Sequence, residues 1–313
     1  MTIVVTGAAG FIGSHTVDRL LMEGHTVVGL DNMRSGRLEN LQDALQSQMF
    51  RLEQIDITEQ GRLDGVMERV KPEAIIHMAA LVSVQESIAN PELNRLLNVE
   101  ATNLVAKTAS SHQVPRIVFA SSAAVYGDCP DLPLKESSDK RPLSPYGSAK
   151  LQSENLLLNC ARKHHLTALC LRYFNVYGMR QDAASPYSGV ISIFKKQLLS
   201  RQPFTIYGSG NQTRDFIHVS DVARANVLAA TDAEVASSVI NICTGRSTSL
   251  NELVEIFRKH HPEVSLVRHV EERLGDIRHS CGNPSLACKV LGFSADILIR
   301  KGMLEFITQT VKA

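Results

Sequence analysis

Thr2-Ile3-Val4-Val5-Thr6-Gly7-Ala8-Ala9-Gly10-Phe11-Ile12-Gly13 is the stretch whose reading decides the fold. Its opening β-branched run suits a strand buried on both faces, and glycines 7, 10 and 13 lead straight into an amphipathic run through Leu20-Leu21. Strand, glycine loop and helix in that order make a phosphate cradle. Gly7 permits a tight turn, Gly10 lets the backbone approach a pyrophosphate, and Gly13 lets helix and strand pack closely, while the helix start at Phe11 and Ile12 supplies N–H donors. A glycine triplet alone is weak, but a second apolar strand, His25-Thr26-Val27-Val28-Gly29-Leu30, follows and ends on Asp31, which is the context of a dinucleotide site. A carboxylate there accepts from the adenine ribose hydroxyls and repels a 2′-phosphate, so Asp31, with Asn32 beside it, selects NAD over NADP. Arg34 and Arg37 close behind weigh the other way.

Outward from this unit the chain keeps alternating: a strand over Met49 to Ile55, a helix from about Thr58 to Val70, then Ala74-Ile75-Ile76-His77. That pattern predicts an α/β fold with a doubly wound parallel sheet, whose ligands gather at the carboxyl ends of the strands. Asp56-Ile57 at the end of the third strand is placed to hold the adenine, a solvated loop being the competing reading for Asp56. Ala79 and Ala80 at the end of the fourth are small enough for a cofactor to lie close. His77 reads as a core histidine. After Pro91 one long apolar-periodic helix, carrying Asn98 as a cofactor contact, is expected to run to about Ser111 and to serve as a subunit interface.

Composition narrows the function. The 313 residues, 44% hydrophobic, bury a substantial core, and 33 basic against 32 acidic side chains leave no electrostatic footprint for nucleic acid or a membrane surface. Six scattered cysteines without a Cys-x-x-Cys pair point to free thiols in a reducing cytoplasm, and the N-terminus opens on a strand rather than a secretory signal. No apolar run reaches the roughly 20 residues of a membrane span. The pairs His164-His165 and His260-His261 lack metal-ligand spacing with a third partner, so no metal is expected.

A fifth strand, Arg116-Ile117-Val118-Phe119, delivers Ala120-Ser121-Ser122-Ala123-Ala124-Val125-Tyr126-Gly127 to the same sheet edge, and Pro145-Tyr146-Gly147-Ser148-Ala149-Lys150 follows. On a helix, Tyr146 and Lys150 at i and i+4 share a face. A neighbouring ammonium favours phenolate and is expected to pull Tyr146 from about 10 towards neutrality, where it becomes a general base. Taken alone Tyr-x-x-x-Lys is a common accident; the ordered motifs around it are not.

Together the glycine loop, Ser-Ser-x-x-Val-Tyr-Gly, Tyr146-x-x-x-Lys150, Leu171-Arg172-Tyr173-Phe174-Asn175, Tyr207-Gly208-x-Gly210, Thr213-Arg214-Asp215-Phe216-Ile217-His218-Val219 and Arg273-Leu274-Gly275-Asp276 resemble an extended short-chain dehydrogenase/reductase. More narrowly, the chain is similar to nucleotide-sugar epimerases of the UDP-glucose 4-epimerase type. The resemblance implies a Rossmann domain over 1–174 and a smaller nucleotide-sugar lobe over 175–313, with Val239-Ile240-Asn241-Ile242 suited to a strand that rejoins the main sheet. It implies Tyr146 as acid/base, Lys150 holding the cofactor ribose and Ser122 bonding the reacting hydroxyl. Sugar C4 is oxidised to a transient ketone that turns over and is reduced on its other face, NAD ending the cycle unchanged. Phe174 joins the cofactor contacts; Ser83, Asn175, Tyr207, Arg214 and Arg273 join Ser122 and Tyr146 as substrate contacts, a surface ion pair being the competing reading for each arginine. A homodimer through the helices near 91–111 and 146–163 is implied too.

Departures and rivals sharpen this. Val82 stands where some relatives place a cofactor-contacting lysine. A nucleotide-sugar 4,6-dehydratase shares the first oxidation but carries an Asp-Glu pair after the catalytic Ser/Thr, where this chain has Ala123-Ala124; a decarboxylase of nucleotide-linked uronic acids ranks beside it. A non-catalytic NAD-sensing module typically loses the tyrosine or lysine, and both are present. Four residues after Asp276 stands Ser280, where relatives restricted to plain hexoses carry a tyrosine, so N-acetylated sugars are expected to fit as well.

Overall fold

The computed structural model describes residues 1–181, 189–232, 234–261, 266–272 and 277–308. Its strands are β1 (Thr2–Thr6), β2 (Thr26–Asp31), β3 (Phe50–Gln54), β4 (Ala74–His77), β5 (Arg116–Ser122), β6 (Thr167–Tyr173), β7 (Asn175–Tyr177), β8 (Phe204–Tyr207), β9 (Thr213–Arg214), β10 (Phe216–His218), β11 (Ser238–Ile242), β12 (Thr248–Ser249) and β13 (Val267–Val270). The α-helices are α1 (Phe11–Met22), α2 (Gln60–Val70), α3 (Val84–Ala89), α4 (Pro91–Asn94), α5 (Ala101–Ser111), α6 (Pro145–His164), α7 (Val190–Leu199), α8 (Val219–Thr231), α9 (Leu250–His260), α10 (Ser285–Leu291) and α11 (Ile299–Thr308).

Seven strands form one parallel sheet in the order β11-β6-β5-β4-β1-β2-β3. The central strands β1, β4 and β5 are buried on both faces, as their unbroken apolar runs require, because helices cover each side. The Val239–Ile242 run does return to this sheet: β11 pairs with β6 in the register Ser238↔Leu169 to Ile242↔Tyr173. The remaining strands pair in twos, β7 with β10, β9 with β12 and β8 with β13, around a second core that includes Phe194, Phe204 and Phe257. Phe194 and Phe204 stack with ring centres 4.6 Å apart. No helix of the described residues is long and apolar enough to cross a membrane.

One expected element is corrected. The stretch after Pro91 is not a single α-helix: Asn90 caps α4, the chain then widens into a π-helical segment over Arg95–Glu100, and α5 follows. The cause is polar. The Asn98 carbonyl accepts from Thr102 Oγ1 at 2.6 Å and from Ser153 Oγ of α6 at 2.8 Å, and its side chain bonds the Leu81 backbone, so this turn is held by side chains that hydrophobic periodicity does not register.

Candidate active site

The glycine loop closes as expected. A side chain at Gly13 would bring a Cβ within 1.9 Å of the Gly7 carbonyl oxygen, so only glycine lets α1 start this close to β1. The first turn of α1 holds no acidic residue and receives no side-chain cap, which suits its N–H donors to an anion. At the end of β2, Asp31 is buried and fixed by two backbone donors, Ala9 N at 2.9 Å and Met33 N at 2.8 Å. Burial raises its pKa and these donors oppose the rise. Asn32 reaches Asp56 at 2.8 Å, and Asp56 also accepts from Thr58, so it is part of an ordered turn rather than a free carboxylate. Arg34 pairs with Glu86 at 2.6 Å. The donor set, an uncapped helix start and a preset ribose carboxylate, fits NAD.

The end of β4 is fixed by a buried polar relay. Thr6 Oγ1 accepts from Met78 N and Ala79 N, both at 3.1 Å, and so donates to His77 Nδ1 at 2.8 Å. Thr102, whose hydroxyl proton goes to Asn98 O, accepts from His77 Nε2 at 3.1 Å. His77 is therefore the neutral Nε2–H tautomer. Its pKa is lowered to about 3 by burial and then by the Lys150 charge. The core reading of His77 holds, and Ala79 and Ala80 sit half-buried at the sheet edge beside Gly7. Asn98 holds the Leu81 segment of this edge, Ile57 packs into the core, and Val82 is exposed.

Tyr146 and Lys150 do share one face of α6. Ser144 caps this helix through Gly147 N at 3.1 Å, Pro145 occupies its first turn, and Arg162, Lys163 and His164 complement the dipole at its end. At Gly147 a Cβ would stand 2.7 Å from the Ala124 carbonyl oxygen, so glycine allows the helix start to press onto the Ser-Ser-Ala-Ala turn. Tyr146 is thereby brought beside Ser122, whose Oγ accepts from Ala124 N at 3.2 Å. Lys150 Nζ donates to the Ala120 carbonyl at 2.9 Å and lies 5.8 Å from the centre of the Tyr146 ring.

The electrostatics overturn one expectation. The Tyr146 pKa is raised, not lowered: desolvation disfavours the phenolate, and the neighbouring Ser122 hydroxyl offsets this only in part. Lys150 is lowered to about 7 by burial, with the Glu154 charge opposing. Lys150 is buried and Tyr146 half-buried, so desolvation dominates the i,i+4 pairing from which the opposite shift was expected.

Residues not singled out from sequence lie directly beneath. Arg172 of β6 makes a two-pronged bond to Glu154, Nε to Oε1 at 2.8 Å and Nη2 to Oε2 at 2.7 Å, with both side chains 2% exposed. Ser121 donates to the same carboxylate, and Arg172 Nη1 reaches Tyr126 OH at 2.9 Å. The signal was available as a third turn of the motif, Tyr146-x-x-x-Lys150-x-x-x-Glu154.

On the substrate side, Asp215 gathers the loops. Its carboxylate accepts from Thr244 N and Gly245 N at 2.9 Å and from Gly282 N at 3.2 Å, while its carbonyl accepts from Asn175 N at 3.0 Å. Arg214 lies against the Thr213 carbonyl at 2.9 Å, and Ser280 N bonds the Thr213 carbonyl at 3.1 Å, so Asn175, Arg214 and Ser280 are brought together. Tyr207 ends β8, half-buried. Ser83 is used as the cap of α3, accepting from Glu86 N at 2.9 Å, and the Phe174 ring packs beside Tyr126 and Cys243. Arg273, with Leu274, Gly275 and Asp276, lies outside the described residues.

Comparison with known proteins agrees with this geometry. The UDP-glucose 4-epimerase of Mycolicibacterium smegmatis is 37% identical over 98% of this chain and 97% of its own. The structure of UDP-glucose 4-epimerase from Thermotoga maritima with UDP-glucose superposes with a TM-score of 0.92 at 32% identity, covering 99% of this chain and 100% of that one. A UDP-N-acetylglucosamine 4-epimerase from Methanobrevibacter ruminantium, in complex with UDP-N-acetylmuramic acid, superposes equally at 36% identity over 99% and 97%. Residues 3–243, from the first strand of the glycine-loop unit to the strand that closes the sheet, match the NAD dependent epimerase/dehydratase family, and the chain belongs to that family.

Proposed function

We propose that this protein is an NAD-dependent epimerase that inverts C4 of a UDP-hexose, acting on UDP-glucose and UDP-galactose and on their N-acetylated counterparts. The observation that carries this reading is the placement of Tyr146 beside Ser122, with Lys150 one helical turn on, at the sheet edge that also bears the glycine loop. Bound NAD supplies a hydride acceptor, restored within each turnover, and a positively charged nicotinamide ring. Gly7, Gly10, Phe11, Ile12 and Gly13 hold its pyrophosphate, and Asp31 its adenine ribose. Ser122 and Tyr146 grip the sugar 4-hydroxyl; Tyr146 takes the proton as C4 becomes a ketone and returns it when the opposite face is reduced. Burial alone holds the proton on Tyr146, so its basicity depends on a positive neighbour. Ala123 and Ala124, which follow Ser122 in a single helical turn, offer no group for the further proton transfers of a dehydratase.

Within residues 175–313, α8, β11 and α10 pack with the main sheet, and the rest forms the nucleotide-sugar lobe in this reading, with Asn175, Tyr207, Arg214 and Arg273 on the UDP moiety. Ser280 is small, so the space beside sugar C2 stays open to an N-acetyl group, in keeping with the N-acetylglucosamine epimerase among the similar structures. We place the protein in the cytoplasm as a homodimer. A groove of about 510 Å³ between the outer faces of α5 and α6, lined by Ala106, Lys107, Leu156, Cys160 and Lys163, supports that pairing; light scattering showing a monomer at micromolar concentration would rule it out. The functional test is to purify the protein, look for co-purifying NAD absorbance, and add UDP-glucose with no further cofactor. UDP-galactose should form. A 4-keto-6-deoxy product, or none, would refute the reading.

A further inference from the structure

Three successive residues of β5 are gripped by three successive turns of α6. Ala120 accepts from Lys150 through its carbonyl, Ser121 donates to Glu154, and Ser122 stands beside Tyr146. Residues 146, 150 and 154 stand at i, i+4 and i+8, so one helix face carries all three. Ser121 and Arg172 are directly opposite in the β5–β6 register, and both bond the Glu154 carboxylate. The carboxylate thus ties α6 to two adjacent strands at the level of the reacting groups.

We propose that Glu154 is a positioning residue of the reaction: clamped by Arg172 and Ser121, it holds the α6 face that presents Tyr146 and Lys150, and its charge balances Arg172 beneath the Lys150 ammonium. The inference rests on the assignment of Tyr146 and Lys150 made above. The titratable groups facing Lys150 are Tyr146 and Glu154 on α6 and His77 on β4, while Cys170 and Tyr126 gather around Glu154 and Arg172 behind it. Of these, Glu154 supplies the negative charge. Without it Arg172 becomes a lone buried cation and Lys150 loses its counter-charge, so the lysine gives up its proton more readily.

The test follows Lys150 directly, by 13Cε-lysine NMR titration of the cofactor-free protein, with its resonance identified by its loss in Lys150→Met. In Glu154→Gln the Lys150 midpoint should fall by roughly one pH unit or more. In Arg172→Met, where the anion stays, it should rise. The double variant Glu154→Gln/Arg172→Met leaves no lone buried charge; its midpoint should return to within about half a unit of wild type, while its kcat on UDP-glucose stays about 10-fold low because the clamp is gone. A Glu154→Gln midpoint equal to wild type with only a lower Tm would reduce the pair to a structural bridge. If that variant does not fold, a double variant with wild-type kcat overturns the proposal by itself. Wild-type protein inactive on UDP-sugars would sink the epimerase reading and leave the titration interpretable.

Discussion

Lys150 Nζ lies 2.9 Å from the carbonyl oxygen of Ala120, so the buried ammonium is anchored to the strand that carries Ser122. The chain accepts the cost of burying that charge. Lys150 falls from an ordinary 10.5 to about 7 because burial penalises its charged form.

Stability should therefore depend on pH in a definite sense. Between about pH 7 and 10.5 the unfolded chain holds a proton on Lys150 that the folded protein does not, so this group's contribution to stability rises with pH across that window. Below it the full cost of the buried ammonium is present. Lys150→Met should accordingly stabilise the cofactor-free protein by about 1–3 kcal/mol at pH 6, a gain that shrinks towards pH 10, while abolishing turnover. Urea unfolding at the two pH values checks this; a variant no more stable than wild type at pH 6 would contradict it.

Removing the Tyr146 hydroxyl should separate chemistry from binding. Tyr146→Phe keeps the ring in place and takes away the proton carrier, so turnover should drop roughly 100-fold or more with NAD content unchanged. Near wild-type turnover would show that another group moves the proton.

Much of this was legible in the sequence because it rests on local pattern. The run Ile3-Val4-Val5 with three glycines dictates strand, loop and helix, and Asp31 follows from where the second strand must end. Tyr146 and Lys150 were readable from helical spacing. The π-helical segment was not, since its cause is a carbonyl at Asn98 claimed by Thr102 and by Ser153, the latter 55 residues away. Nor was the direction of the Tyr146 shift, because a spacing rule counts neighbouring charges and not the water removed around them. Glu154 was in plain view at i+8, but only the fold brings Ser121 and Arg172 to it.

Asp31 does two jobs, and its loss should show both. Asp31→Ala deletes the ribose acceptor and also frees Ala9 N of the glycine loop. NAD affinity should weaken by about 10- to 100-fold, and the preference over NADP should narrow. Fluorescence titration with each cofactor decides it; unchanged affinity for both would remove Asp31 from the site.

At Ser280 the prediction concerns which sugar fits. The residue is buried beside the Thr213–Arg214 strand, so a ring placed there fills the adjoining space. Ser280→Tyr should depress kcat/KM for UDP-N-acetylglucosamine by roughly 5- to 150-fold and spare UDP-glucose. Equal losses on both sugars would refute the pocket assignment.

The central claim is that Tyr146 and Ser122 handle the proton of the sugar 4-hydroxyl while the hydrogen on C4 leaves and returns without meeting water. The most direct measurement is 1H NMR of UDP-glucose incubated with the purified protein in D2O, with no cofactor added. The account predicts UDP-galactose that retains its hydrogen at C4. Deuterium at C4, or no UDP-galactose at all, would contradict it.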